Sequence, residues 1–200
     1  MVLAIGCGQT PDDDVDAGSD PIGGLEVTFH SEPEVPDSVG GDYDAYVDTA
    51  RFHLRNFRAI GDAAPGDDRT RVDDLTLTWS DGVEPQPVVF PDAPAGFYSQ
   101  VSAEILDYRI TGTAKVNDVV YPFEISDTPP TPISTMQRLD GVTVVATKRS
   151  TIKVEVEFKE AVAEFDWSSI APNGDGVIIV DANSVGIGGV RDELRELLED

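Results

Sequence analysis

One thiol, two imidazoles and a large excess of carboxylates are what this chain offers for nucleophilic, acid–base or metal chemistry. The thiol is Cys7 and the imidazoles are His30 and His53. A Ser-His-Asp relay needs an activated serine beside one of those histidines, and no Gly-x-Ser-x-Gly turn presents one. A cysteine at the extreme N-terminus is badly placed for a Cys-His nucleophile pair. Val47-Asp48-Thr49-Ala50 approaches the Asp-Thr-Gly signature of aspartic proteases. That chemistry needs two carboxylates sharing a proton and a permissive glycine, whereas Ala50 fills the place and no second copy occurs. With 38 acidic residues in the chain, carboxylate pairs suited to sugar hydrolysis carry almost no information. No catalytic residue is assigned.

Metal and ligand patterns fare little better. Asn173-Gly174-Asp175-Gly176 followed by Asp181 has the flavour of a calcium loop. The twelve-residue pattern nevertheless fails, since its first and last positions would be Ala171 and Ala182. A tight turn between two strands accounts for the same residues. Aspartate clusters at 12–16, 42–48 and 67–74 could gather Ca²⁺ weakly, or simply keep loops solvated. His30 with Glu32 and Glu34 is a poor transition-metal set. Gly186-Ile187-Gly188-Gly189 lacks a preceding dinucleotide fold and reads as a flexible joint. Arg51, His53 and Arg55 form the most distinctive local feature, a stripe on one side of an alternating run. It could cradle an anion. The competing reading is cross-strand pairing with acids such as Glu155 or Glu157 on an adjoining strand. No cofactor and no metal ligand is assigned.

Cys7 has a different use. Leu3-Ala4-Ile5-Gly6-Cys7 looks like the end of a bacterial lipoprotein signal, in which a small residue precedes the cysteine that receives the lipid. The thiol is the acceptor, and a polar tether should follow. Residues 8–23 supply one, with TPDDDVDAGSDPIG (10–23) too polar to fold. The alternative is a free thiol on a loose terminus. Lipid attachment at Cys7 would hold the protein at a membrane surface rather than through it.

Charge narrows the partners. Asp (25) and Glu (13) outnumber Lys and Arg to give a net charge of −24. Such a surface repels phosphate backbones and anionic headgroups, which argues against nucleic acid. No apolar run is long enough to span a bilayer as a helix. A single cysteine forms no internal disulfide, so the core must rest on packing alone.

The elements that would carry these residues are strands. Alternating or β-branched runs occur at 24–29, 46–60, 75–79, 101–110, 119–125, 141–147, 151–158 and 176–181. The clearest is TIKVEVEF, with Ile152, Val154, Val156 and Phe158 on one side and Lys153, Glu155 and Glu157 on the other. Prolines mark 32–42 and 126–134 as loops, and 59–74 reads as a long charged crossing. About eight strands without interleaved helices predict antiparallel sheets packed face to face. At the end of the chain, Val190, Leu194, Leu197 and Leu198 recur at helical spacing, as on a short helix docked against its own domain.

The stretch APAGFYSQV (93–101) resembles the Ala-Pro-x-Gly-x-Tyr-Ser/Thr segment of uncharacterised bacterial envelope lipoproteins with a prealbumin-like or immunoglobulin-like sandwich. The segments ARFHLRNFRAIGDAAPGD upstream and EFDWSSI downstream sit where that group has comparable strands. The resemblance covers about 45–182. It implies that Pro94 and Gly96 shape a turn and that Tyr98 packs inward, and it carries over no catalytic residue.

The expected protein is all-β. A residual lipoprotein signal (1–7) ends at Cys7, and an acidic tether (8–23) leads to a single antiparallel β-sandwich (24–183). A joint and an amphipathic helix (184–200) close the chain. Its expected role is non-catalytic: a lipid-anchored protein of the cell envelope, in the outer membrane or periplasm, with structural, adhesive or protein-binding duties. The alternatives are a calcium- or small-ligand-binding module built on Asp-rich loops, and a carboxylate-based hydrolase.

Overall fold

Period-two alternation persists through the longest segments of the chain, and it dictates strands. The computed structural model describes residues 23–39, 45–62, 67–163 and 165–198. Cys7 and most of the 8–23 tether lie outside the described residues. The strands are β1 (Leu25–Glu32), β2 (Asp37–Ser38), β3 (Ala45–Gly61), β4 (Arg71–Ser80), β5 (Val88–Phe90), β6 (Gly96–Val116), β7 (Val119–Asp127), β8 (Ile133–Val144), β9 (Ser150–Glu157) and β10 (Ile178–Val180). Two short helices, α1 (Lys159–Ala163) and α2 (Ile187–Glu193), follow β9 and β10.

Each of the eight expected runs contributes to a strand, although 145–147 turn away after the end of β8 and only 178–180 of 176–181 pair. The two additional ones are short: β2 follows directly on Pro36, and β5 lies between Pro87 and Pro91. The segment 59–74 is a hairpin connection rather than a crossing, since β3 and β4 pair antiparallel up to Arg58↔Arg71.

β3 and β6 pair from Ala45↔Ala114 to Gly61↔Tyr98 and form the spine of a large sheet. The order across it is β10-β7-β6-β3-β2, with β4 also beside β3 and β8 also beside β6. β6 is long enough to take β8 along its first half and β7 along its second. A smaller sheet, β5-β1-β9, covers one face. The expected all-antiparallel pairing holds except at two places, where β1–β9 and β7–β10 run parallel. Parallel neighbours need a long connection, and in both cases a long stretch of chain intervenes. Bulges in β3 between Val47 and Thr49 and between Arg55 and Arg58 re-phase its alternation, so Val47, Ala50, Phe52, Leu54 and Phe57 all reach the core. At the first bulge, a Cβ on Gly112 would fall 1.9 Å from the Tyr46 carbonyl oxygen, so only glycine admits so close an approach.

The core fills the space between the sheets. Leu25, Val27, Phe29, Ile152, Val154 and Val156 descend from the small sheet onto Phe52, Leu54, Phe57, Val101, Ile105 and Ile110. Aromatic pairs cross the gap, Phe29–Phe57 at 5.4 Å and Phe52–Phe158 at 5.5 Å between centroids. Tyr98 packs inward as expected, with its hydroxyl donating to the Pro94 carbonyl at 2.9 Å.

Three strands cannot cover the whole large sheet, and the C-terminal segment covers the remainder. Trp167 lies 4.7 Å from Phe123, and Val190, Leu194, Leu197 and Leu198 are all fully buried. The terminal stripe therefore docks on its own domain, although α2 gives way to a 3-10 turn over Leu194–Glu196. Arg191 fixes this segment by donating to both oxygens of Asp127, at 2.6 and 3.0 Å. The Asp127 carboxylate has no exposed surface, and burial beside it pushes the Tyr108 phenol above its ordinary range.

Removing Arg191 would strand that carboxylate without a cation. Arg191→Met is expected to lower unfolding stability by about 3 kcal/mol in urea titration, with partial recovery when Asp127→Asn is added. An unchanged midpoint for the single variant would contradict the role assigned to the pair.

Candidate functional site

The Arg51, His53 and Arg55 stripe projects from the outer face of the large sheet, between β4 and β6. Register explains its contacts. His53 stands opposite Asp107 and Arg55 opposite Glu104. His53 Nδ1 lies 2.7 Å from Asp107 Oδ2, and its Nε2 lies 3.3 Å from Asp74 Oδ1. Arg51 donates to the other oxygen of Asp107 at 2.7 Å. Arg55 and Asn56 both donate to Glu104 Oε2, at 2.7 and 2.9 Å. Arg51 faces Arg109, a like-charge pairing made tolerable because Arg109 leans diagonally to Glu124 at 2.7 Å. Asn56 adopts a φ of 54°, a left-handed conformation that asparagine tolerates, at the bulge that frees its side chain.

Cross-strand pairing is thus what these cations do, but their partners are Asp74, Glu104 and Asp107. Glu155 and Glu157 belong to β9 in the other sheet and cannot reach them.

The electrostatics follow from the contacts. The hydrogen bond to Asp107 outweighs desolvation and, with Asp74, raises the His53 pKa above 6.5. Burial pushes Asp107 up, yet the bonds from His53 and Arg51 prevail and leave its pKa lowered. Arg55, with help from Asn56, lowers that of Glu104. Carboxylates at both nitrogens favour the doubly protonated imidazole, the form that offers no lone pair to a general base.

The remaining sequence candidates are dispersed or already engaged. Asp67 accepts from Arg69, whose side chain holds the carboxyl at about 2. Asp68 and Asp73 pair with Arg71, and Asp74 with His53. Asn173 Oδ1 accepts from the backbone N–H groups of Asp175 and Val177; the turn is there, but it leads into β10 from a 3-10 turn at Trp167–Ser169 rather than joining two strands. Among the described residues no three His, Cys, Asp or Glu side chains converge to hold a metal ion. Only 45–48 of the 42–48 cluster are described, and the 12–16 cluster lies outside the described residues.

A slot between β8 and β9 is the feature that sequence reading misses. It encloses about 480 Å³, with residues 137–142 on one wall and 152–155, together with His30, on the other. A bulge opens it: Tyr98 pairs with Val142 and Gln100 with Arg138, so residues 139–141 oppose a single residue of β6. Gly141, at a φ of +91°, makes the turn while lying against the Phe97 ring. Gln137 lines the slot at 5% exposure, and its Oε1 accepts no hydrogen bond among the described residues. A buried acceptor without a partner costs roughly 1–3 kcal/mol, which marks this oxygen as a place where a donor would be welcome.

Compared with protein-family models, with curated proteins and with solved structures, the chain matches none.

The His53 geometry sets a pH dependence. A pKa raised on folding adds stability that is fully present below the unfolded value, about 6.5, and lost as pH rises through the folded one. Thermal melts of the wild type should therefore lose stability from about pH 6.5 upward, and those of His53→Gln should lose less over the same interval. Parallel slopes for the two proteins would contradict the pairing.

Proposed function

We propose that this protein is a non-catalytic lipoprotein of the bacterial cell envelope, held by a lipid on Cys7, whose β-sandwich is displayed to a protein partner. The observation that carries the non-catalytic part is the state of the outer sheet face. Its best chemical candidates, Arg51, His53 and Arg55, are each engaged by carboxylates. A catalytic base needs a nucleophile within reach, and the partners of His53 are two carboxylates, Asp107 and Asp74.

The envelope part rests on Leu3-Ala4-Ile5-Gly6-Cys7 with its acidic tether, and on the likeness of 93–101 to envelope lipoproteins. No described helix is long and apolar enough to cross a membrane, so attachment in this reading falls to the lipid. A net charge of −24 keeps a displayed domain soluble and away from anionic headgroups. The calcium-binding alternative has less support, because the acids at 67–74 already hold Arg69, Arg71 and His53.

Metabolic labelling with a radioactive fatty acid, with expression from the native locus, tests the anchor. Label is expected in the wild-type protein and absent from Cys7→Ser. Equal label in both, or none in either, would overturn it.

A further inference from the structure

We propose that the slot between β8 and β9 binds an extended segment of a partner protein, which adds to the small sheet as a fourth strand along the edge of β9. This deepens the reading of the sandwich as a protein-binding module and does not depend on the lipid at Cys7.

Backbone parity is the first support. Ser150 N donates to the Gly24 carbonyl and Phe158 N to that of Glu32, so even-numbered residues of β9 direct their backbone groups toward β1. Odd-numbered residues direct theirs to the opposite edge. Glu157 N obeys this rule by donating outward to the Leu197 carbonyl at 2.9 Å. β9 is the last strand of its sheet, and among the described residues no backbone bond satisfies the outward groups of Lys153 and Glu155. Those two residues line the slot. An exposed row of this kind is a template for one more strand.

The second support is the buried, unpartnered Oε1 of Gln137 on the facing wall. A backbone N–H of the incoming strand supplies the donor it lacks. An extended chain thus meets acceptors on both sides, which a compact ligand of similar volume would not. The stretch from Thr151 to Glu155 is about 13 Å long at the rise of a strand, so four or five residues fill it.

Charge narrows the occupant further. The slot presents two cations, Arg138 and Lys153, and two carboxylates, Asp140 and Glu155. A polyanion or a polycation would meet like charge there, whereas a mixed-charge, proline-free segment meets its complement. A second folded copy carries its own β9 behind its own β8, so the occupant is a segment free to extend.

The test pans a displayed library of random dodecapeptides on the full purified chain, then titrates the enriched peptides against it by amide-resolved NMR. Shifts are expected at Lys153, Glu155 and the Gln137 side-chain amide. N-methylation of alternate peptide nitrogens of one parity should weaken binding roughly tenfold, and methylation of the other parity should leave it unchanged. Lys153→Pro should abolish binding while still folding, because proline is tolerated where the lost N–H faces an open edge. Should that variant unfold, the methylation series on the wild type decides. Enriched peptides that shift Arg51, His53 and Arg109 instead would overturn the slot while leaving the display reading intact. A library that yields no binder would overturn the slot as well, whereas the anchor is judged by the fatty-acid label alone.

Discussion

Both hydrogen-bonded neighbours of β1 come from far along the chain: β5 at 88–90 and β9 at 150–157. The rest of the structure depends on that parallel pairing of β1 with β9. In the large sheet β3–β4 and β6–β7 are hairpins and β8 returns onto β6, so local pairs stand ready on either side of the non-local spine of β3 with β6. The small sheet has no such local route. Until β9 reaches β1, the apolar faces of Leu25, Val27, Ile152 and Val154 have no shared plane from which to cover Phe52 and Phe57. Non-local closure of this kind makes a slow-folding topology. It also explains why the C-terminal segment follows so closely: once β9 is seated, Phe158 and α1 continue directly into the uncovered part of the core.

Much of this was legible in the residues. TIKVEVEF shows a two-faced strand directly, and the terminal stripe of Val190, Leu194, Leu197 and Leu198 shows a docked segment. Strand direction was not legible, because alternation reports which face a side chain takes and nothing about which way a neighbour runs. β2 and β5 escaped notice as pieces of two and three residues among prolines. β8 begins at Ile133 rather than near 141, since Thr135 and Gln137 occupy inward positions where the apolar half of the pattern was sought. The stripe of Arg51, His53 and Arg55 is visible in the sequence, whereas its partners Asp74, Glu104 and Asp107 are not, because only sheet membership tells which strands lie beside it. The slot left almost no trace. Backbone groups at an edge have no letter in the sequence, and a glutamine at an inward position was the one available signal.

The molecule divides its polar groups unequally between its two outer surfaces. On the large sheet, charges are matched in cross-strand pairs and the face is chemically quiet. At the junction of β8 and β9, a buried amide oxygen and the outward groups of two strand residues lack partners. Open edges invite unwanted pairing, and acidic side chains gather at the covered end of this one, where Glu157 donates its N–H to the Leu197 carbonyl. Burial, together with Glu32, Glu155 and Glu160, pushes the Glu157 carboxyl above its usual range, a sign of like charges gathered at the end of β9.

Hydrogen exchange at the backbone of β9 tests this account most directly. The parity of the strand predicts slow exchange at Ile152, Val154 and Val156, whose N–H groups face β1, and at Glu157, held by Leu197. Lys153 and Glu155 should exchange orders of magnitude faster in the isolated protein. Uniform protection along the strand would mean that its outer edge is already covered, and rapid exchange at Ile152 and Val154 would mean that the pairing with β1 is not what closes the core.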